Sequence, residues 1–247
     1  DEGSPAFDVS AAHTVAAYED EEALARFAQS VDLVTYEFEN VPARTAEVLA
    51  SFRPLFPGAR ALAVAQDRLV EKAFLRDLGI PIADFAAVDE AQSLADAIAA
   101  LGRPSVLKTR RFGYDGKGQI LLRETVSDEE ALAAMRGQPA VLEAFVPFDR
   151  EVSVVAARGR DGAFAAYDVT ENRHEHHVLS TSTVPSTLTP DAAAQAMDIT
   201  RLIADALDYV GIIGVEMFVV PGPAGDRILV NEIAPRVHNS GHWTQDG

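Results

Sequence analysis

The chain has 247 residues, of which 48% are hydrophobic and 24% are charged, with no cysteine and a formal net charge of −17. This composition is typical of a globular protein and excludes collagenous, disulfide-stabilised and largely disordered chains. The acidic balance argues against a nucleic-acid partner, because phosphate neutralisation needs a basic face. No apolar run approaches the ~18–20 residues of a membrane helix, and no signal-peptide pattern opens the sequence. We therefore expect a cytoplasmic protein with no membrane partner.

The first sixty residues alternate between helical patterns and one apolar run. Helices are predicted at 20–30 and 42–52, and Val31–Tyr36 is predicted to be a buried strand. Because helix–strand alternation is typical of parallel sheets, we expect an α/β arrangement in this part of the chain.

From Gln66 onwards the pattern changes to short strands with interleaved helices. A helix is predicted at 66–78, where Gly79 and Pro81 end it. A later helix is predicted to start at the N-cap Thr189 and to end at Gly211. The remaining predictions are strands near 84–88, 104–109, 119–122, 140–145 and within 151–170, helices at 90–101 and 128–136, and a loop at 180–189.

A carboxylate pair is predicted on the last hairpin, whose strands are 214–220 and 228–233. If residues 220 and 228 close the hairpin, then 218 faces 230 and Glu216 faces Glu232. Two opposed carboxylates repel each other, and apolar neighbours make the repulsion worse. A bridging Mg²⁺ would remove it, because hard oxygen ligands suit this ion. The pattern therefore predicts magnesium ligands at Glu216 and Glu232, whereas a one-residue shift in register would put them on opposite faces.

A basic, glycine-rich segment runs from Lys108 to Gly118 and holds two of the three lysines of the chain. Its glycines allow backbone amides to approach a ligand closely, and its lysines add point charges. It is not a Walker A loop, since no helix follows it. By itself the segment could be a solvated charged loop or a hairpin turn. Together with the acidic pair, it predicts a loop that covers the phosphates of ATP.

Histidines cluster at His174, His176 and His177, and His238 and His242 have an H-x₃-H spacing. Pro, Asn and Gly residues around the second pair argue against the regular helix that zinc ligation at this spacing needs. The polar segment after the second acidic residue is better interpreted as one that contacts substrate.

These features together resemble the ATP-grasp ligases: a lysine on a strand, a glycine-rich loop, the linker Glu143–Val146 and two late acidic ligands. The closer resemblance, over essentially the whole chain, is to the 5-(carboxyamino)imidazole ribonucleotide synthase family. It is carried by Thr35–Pro42, Phe112–Gln119, Phe148–Glu151 and Asn231–Thr244.

The resemblance implies an α/β (α+β) fold with two domains. A truncated Rossmann-like pre-ATP-grasp domain at 1–62 would precede an ATP-grasp domain at 63–247. The latter would consist of two α+β subdomains, a small lid at about 80–146 and a large one at about 147–247. Relative to the family, we expect the chain to lack the opening Gly-rich turn and the C-terminal domain.

The resemblance also implies a reaction of purine biosynthesis. Aminoimidazole ribonucleotide, ATP and bicarbonate would give the carboxylated amine, ADP and phosphate through carboxyphosphate, with Mg²⁺ as cofactor and in a homodimer. The alternatives are another ATP-grasp ligase, such as a formate-using glycinamide ribonucleotide enzyme, and a nucleotide-binding module without catalysis.

The family pattern assigns roles to individual residues. The nucleotide-binding positions are Arg68, Lys108, Gly113, Tyr114, Asp115, Gly116, Lys117, Gly118, Gln119, Glu143, Ala144, Phe145, Val146, Glu151, His174, Asn231 and Glu232. The positions that would face the ribonucleotide are Tyr114, Asp115, Arg236, His238, Asn239, Ser240 and Gly241. Asp115 and Arg236 are the candidate catalytic residues, and Glu216 and Glu232 the metal ligands.

Overall fold

The computed structural model describes residues 3–113, 116–223 and 225–245. The helices are α1 (Glu21–Gln29), α2 (Ala43–Phe52), α3 (Ala59–Ala65), α4 (Arg68–Asp77), α5 (Ala91–Leu101), α6 (Asp128–Met135) and α7 (Pro190–Ala206), with 3₁₀ helices at Pro5–Val9 and Asn239–Gln245. The strands are β1 (Phe85–Val88), β2 (Ser105–Thr109), β3 (Gln119–Leu122), β4 (Ala140–Ala144), β5 (Arg150–Arg158), β6 (Phe164–Ala166), β7 (Thr170–Glu175), β8 (Val178–Thr183), β9 (Gly211–Val220) and β10 (Arg227–Ala234). Within these ranges, no helix is long and apolar enough to cross a membrane.

The N-terminal region packs α1, α2 and α3 around a small apolar core that includes Leu49 and Leu62. The prediction of a strand at Val31–Tyr36 is wrong, because the structure has only one parallel bridge there, between Val34 and Leu55. Proline explains why the ladder does not extend towards Asp32: the next parallel hydrogen bond on that side would need an N–H from residue 54, which Pro54 lacks. The expected parallel sheet is thereby reduced to this single bridge in the described part of the region.

The small sheet has the antiparallel order β1–β4–β2–β3. Helices α5 and α6 cover one of its faces and bury Leu94, Leu107, Leu122 and Leu142 in a common core. The period-2 alternation of β2 is visible in its burial, since every second residue of Ser105–Thr109 is buried. Lys108 is one of the intervening residues and therefore points away from this core.

The large sheet has the antiparallel order β10–β9–β5–β7–β8, and β6 pairs with β5. Its main core packs α7 and α4 against the strands, with Leu75, Ile203, Ile213 and Met217 almost completely buried. The combination of two antiparallel sheets with packed helices confirms the predicted α+β architecture.

Two predicted boundaries in the large sheet are wrong. The segment 180–189 is not all loop, because β8 continues to Thr183 and pairs with β7; its Ser/Thr composition resembles a loop, although β-branched threonine fits a strand well. Helix α7 ends at Ala206 rather than near Gly211, which already begins β9. Its start is as predicted, since the hydroxyl of Thr189 accepts the Ala192 amide at 3.3 Å.

The β9–β10 hairpin has a β-bulge at Asn231. Near the turn Val219 pairs with Ile228 and Met217 with Val230, one residue away from the predicted register. The bulge then shifts the register, so that Glu232 pairs with Glu216 as predicted. The extra residue is therefore what brings the two carboxylates opposite each other.

Candidate active site

One cleft of about 480 Å³ lies between the small and the large sheet. It collects most of the described residues to which the sequence analysis assigns a function. Those that line it are Arg68, Lys108, Gly113, Gly116, Lys117, Gln119, Glu151, His174, Glu216, Asn231, Glu232, Arg236, His238 and Asn239.

The acidic wall of the cleft is one face of the large sheet. Glu216 pairs with Ser153 on β5, and Glu151 on the same strand pairs with Phe218, so these side chains share a face. Phe218 stacks on Phe148 with ring centroids 4.5 Å apart. The carboxylates therefore stand beside an aromatic pair at the edge of the site.

Each predicted metal ligand contacts a basic side chain. Arg68 Nη1 donates to Glu232 Oε2 at 3.0 Å, and His238 Nε2 lies 3.1 Å from Glu216 Oε1. Burial alone would raise the pKa of Glu232, but the Arg68 guanidinium lowers it below its ordinary value. Glu232 is thus held as a carboxylate, the form that binds a cation.

The donor set fits Mg²⁺ shared with a phosphate ligand. Two carboxylates face the cleft, and the buried side-chain oxygen of Asn231, another residue that lines it, has no hydrogen-bond partner. Across the described ranges, no group of three or more His, Cys, Asp or Glu could hold a metal ion alone. Mg²⁺ normally completes its octahedron with water and substrate phosphates, so two protein carboxylates suffice.

A lysine–carboxylate–lysine cluster forms the basic wall. Lys108 Nζ is 3.1 Å from one oxygen of Glu143, and Lys72 Nζ is 3.2 Å from the other. Burial alone would raise the pKa of Glu143, but the two ammonium groups hold it at about 2. Burial lowers the pKa of Lys108, while Glu143 opposes that shift. Glu143 therefore supports Lys108 from behind rather than facing the cleft.

The glycine-rich segment packs closely against neighbouring side chains at two glycines that have positive φ angles. A Cβ at Gly118 (φ 71°) would lie 2.5 Å from the Thr109 hydroxyl, and one at Gly116 (φ 73°) would lie 2.5 Å from the His177 ring. Only glycine fits both positions without displacing a neighbour. Tyr114 and Asp115, which carry the predicted substrate and catalytic roles, lie outside the described residues.

One arginine beside the glycine-rich segment forms an ion pair with a carboxylate of α4's N-cap. Arg110 makes a bidentate contact with Asp67, the N-cap of α4, at 2.9 and 2.7 Å. Burial would raise the pKa of Asp67, but this guanidinium lowers it. Arg110 therefore anchors the segment to α4 rather than offering its charge to a phosphate.

A buried polar chain runs beneath the cleft from His238. Its Nδ1 is 2.9 Å from the Ser240 hydroxyl, which accepts from the Ser153 hydroxyl at 2.7 Å, and Asn172 donates to Ser153 at 2.9 Å. Ser240 is fully buried, and Gly241 packs against Val155. The structure does not bring Ser240 and Gly241 to the cleft, because they lie in the last 3₁₀ helix and pack against Ser153 and Val155 of β5.

The linker residues also lie apart from the main cleft. Ala144, Phe145 and Val146 line a separate cavity between 81–84 and the start of β10. Ala144 is the last residue of β4, and Phe145 and Val146 begin the connection from the small sheet to β5 of the large sheet.

Several residues that line the cleft were not predicted. Phe148, His176, His177 and Leu179 are among them. So is Glu39, whose carboxylate accepts from Arg236 Nε at 3.0 Å. Glu39 lies inside the motif Thr35–Pro42, which was the available signal, although the motif did not indicate which of its residues reaches the site.

Two family models match the chain and define its class. An ATP-grasp domain matches residues 73–247, and a ribonucleotide synthetase preATP-grasp domain matches residues 1–66. The fold and the paired-carboxylate cleft are accordingly those of an ATP-grasp protein.

Similar proteins within the ATP-grasp class indicate the family to which the chain belongs. The N5-carboxyaminoimidazole ribonucleotide synthase of Brucella melitensis is 46% identical over 98% of this chain and 67% of its own length. The ADP complex of the Staphylococcus aureus N5-carboxyaminoimidazole synthetase superposes with a TM-score of 0.93 at 33% identity, covering 100% of this chain and 65% of that one. The Aspergillus clavatus synthase in complex with ADP and 5-aminoimidazole ribonucleotide gives 0.89 at 29% identity, with 100% and 64% covered. The chain belongs to the N5-carboxyaminoimidazole ribonucleotide synthase family, and it spans about two thirds of the length of these relatives.

Proposed function

We propose that this protein is an ATP-dependent ligase that carboxylates 5-aminoimidazole ribonucleotide with bicarbonate. The products would be N5-carboxyaminoimidazole ribonucleotide, ADP and phosphate, in purine biosynthesis. Membership of the family supports the proposal, as does the Aspergillus relative, whose structure contains ADP and 5-aminoimidazole ribonucleotide. The observation that carries it is the bulge-dependent pairing of Glu216 with Glu232, opposite Lys108 in one cleft.

The nucleotide is proposed to lie between the two sheets. Lys108 and Lys117, with the glycine-rich segment, contact its phosphates, and Glu151 accepts hydrogen bonds from the ribose hydroxyls. The linker Glu143–Val146 contacts the adenine through backbone groups. Glu216 and Glu232, accompanied by Asn231, would hold Mg²⁺, which would supply neutralisation of the phosphate charge.

The proposed phosphoryl transfer depends mainly on how the protein positions the reactants. Bicarbonate attacks the γ-phosphate to give carboxyphosphate, and charged groups around it stabilise the transferred phosphoryl group. The ribonucleotide amine then captures the carboxyl carbon. Arg236 and Asp115 face the ribonucleotide, and Asp115 orients the amine or accepts its proton. Arg236 is held for this role by Glu39.

The proposal also includes the oligomeric state and the cellular location of the protein. The family resemblance supports a homodimer in the cytoplasm. Size-exclusion chromatography with light scattering would test the oligomeric state directly.

ADP release separates the proposed reaction from its alternatives. We expect release to require aminoimidazole ribonucleotide and bicarbonate together. Release with glycinamide ribonucleotide and formate would instead identify another ATP-grasp ligase. ATP binding without turnover under either condition would identify a nucleotide-binding module.

A further inference from the structure

One face of α4 contacts the strand that carries Glu232. Arg68, Glu71 and Lys72 have the i, i+3, i+4 spacing of residues on the same helix face. Arg68 donates to the Glu232 carboxylate at 3.0 Å, whereas the other two reach the backbone around it. Glu71 Oε1 accepts the Ile233 amide at 2.6 Å, and Lys72 Nζ donates to the Asn231 carbonyl at 2.9 Å.

These two backbone contacts bracket Glu232 at the bulge. Asn231 is the extra residue that shifts the register, and Ile233 is the first residue after Glu232. A bulge leaves backbone groups of the extra residue outside the regular ladder, so they need other partners. Lys72 and Glu71 provide such partners on the two sides of Glu232. The helix therefore holds the local backbone that sets the direction of the Glu232 side chain.

Stability alone is a poor explanation for this pair. Glu71 and Lys72 are 2% and 1% exposed, and burying such groups costs free energy that a close-packed apolar pair would avoid. Their side-chain hydrogen bonds and ion pair in the described residues lead to site elements: Glu71 accepts from the backbone after Glu232, and Lys72 contacts Asn231 and Glu143, which supports Lys108.

We propose that Glu71 and Lys72 are positioning residues that fix the Asn231 bulge, and thereby hold Glu232 opposite Glu216 for Mg²⁺. The inference rests on the proposed function, because it concerns the metal that accompanies the nucleotide. It assigns no catalytic contact to either residue. Its consequence is that loss of the backbone contacts weakens metal-dependent nucleotide binding more than metal-free binding.

The test measures ADP affinity by calorimetry, with saturating Mg²⁺ and with EDTA, in four variants. Glu71→Leu removes the acceptor for the Ile233 amide, whereas Glu71→Gln keeps an acceptor oxygen in the same place. Lys72→Met removes the donor to Asn231 and decides the question if Glu71→Leu does not fold. Leu75→Ala on the same helix is the matched control for a loss of packing alone, since Leu75 is an apolar side chain fully buried in the main core.

In Glu71→Leu and Lys72→Met we expect the Mg²⁺-dependent gain in ADP affinity to fall at least tenfold, with the EDTA value changed less than threefold. Glu71→Gln should keep the gain within threefold, and Leu75→Ala should keep it despite a lower melting temperature. An unchanged gain in a folded Glu71→Leu or Lys72→Met, or an equal loss in Leu75→Ala, would overturn the positioning role. Failure of the wild type to bind ADP would overturn the proposed function itself.

Discussion

The two walls of the cleft carry opposite charge. The large sheet contributes Glu151, Glu216 and Glu232, whereas the small sheet and its loop contribute Lys108 and Lys117. Arg68 and His238 contact the acids of the first wall, and Glu143 contacts the lysine of the second. A ligand with phosphates on one side and a divalent cation on the other matches both walls. Because the two walls have opposite charge, a metal–nucleotide complex would suit this cleft better than a free anion.

The walls also differ in how their charges are supported. On the basic wall, one buried carboxylate lies between two lysines, so its removal affects the fold. On the acidic wall, the carboxylates face the cleft and their removal affects the ligand. Variants on the two walls should therefore separate a loss of stability from a loss of activity.

The largest effect is expected on the basic wall, from Glu143→Gln. This change leaves Lys72 buried beside Lys108 without a carboxylate, and breaking a buried pair in this way costs about 3–5 kcal/mol. Urea unfolding measures the free energy of unfolding, with the exposed Glu129→Gln in the same subdomain as a control.

The pH dependence of stability gives an independent check on Glu143. Its pKa is about 2 in the folded protein and 4.5 ordinarily, so its contribution is present above pH 4.5 and is lost as the pH falls towards 2. Glu143→Gln should lack this part of the acid destabilisation. Equal stability of wild type and variant at pH 7 would contradict the support of the lysines by Glu143.

The next effect is expected on the acidic wall, from Glu232→Gln. Removing one metal ligand should lower turnover about 100- to 1000-fold, the size of a lost electrostatic contact at a reacting centre. The melting temperature without ligand should change little, because Glu232 is 37% exposed to the cleft. Steady-state ADP release across a Mg²⁺ titration measures the effect, with Glu47→Gln as a remote control. Near-normal turnover at limiting Mg²⁺ would remove Glu232 from the metal site.

A third variant, Asp115→Asn, asks whether the basic loop carries an acid for the second substrate. A carboxylate there would weaken the attraction for triphosphate, so it is better suited to the ribonucleotide amine. We expect turnover to fall about 100-fold while the apparent MgATP affinity stays within a few-fold. Lower ATP affinity with normal saturated turnover would instead mean that Asp115 only structures the loop.

The elements that sequence predicted well are those with strong local signals. Strand β3 matches its predicted bounds, and α5 begins one residue after the predicted start, where Glu90 and Ser93 form a capping box. The predicted opposition of Glu216 and Glu232 is confirmed, although the register assumed at the turn is wrong. The Asn231 bulge shifts the register so that the two carboxylates pair. No local sequence pattern predicted this bulge.

The parts that sequence missed depend on tertiary contacts. Lys72 was visible as one of three lysines, but nothing in its neighbourhood indicated that its ammonium reaches β10 and β4. Glu71 looked like an ordinary helix residue, although burial raises its pKa to about 8. Ser240 belonged to a family motif, yet its place behind His238 follows from packing against β5. The metal role of the acidic pair and the other site assignments stay predictions.

The smallest effect is expected at the edge of the acidic wall, from His174→Asn. His174 Nδ1 lies 2.8 Å from Glu151 Oε2, and this hydrogen bond raises the pKa of the imidazole. A raised histidine pKa means that the pair stabilises the fold fully below pH 6.5 and less as the pH rises through the folded value. The wild type should therefore be more stable than the variant at pH 6 by no more than about 1 kcal/mol, the range of a partly exposed ion pair. The difference should shrink in thermal unfolding as the pH rises through the raised pKa of His174, since the imidazole then becomes neutral. A constant difference across the pH titration would show that His174 stabilises the fold by packing rather than by its charge.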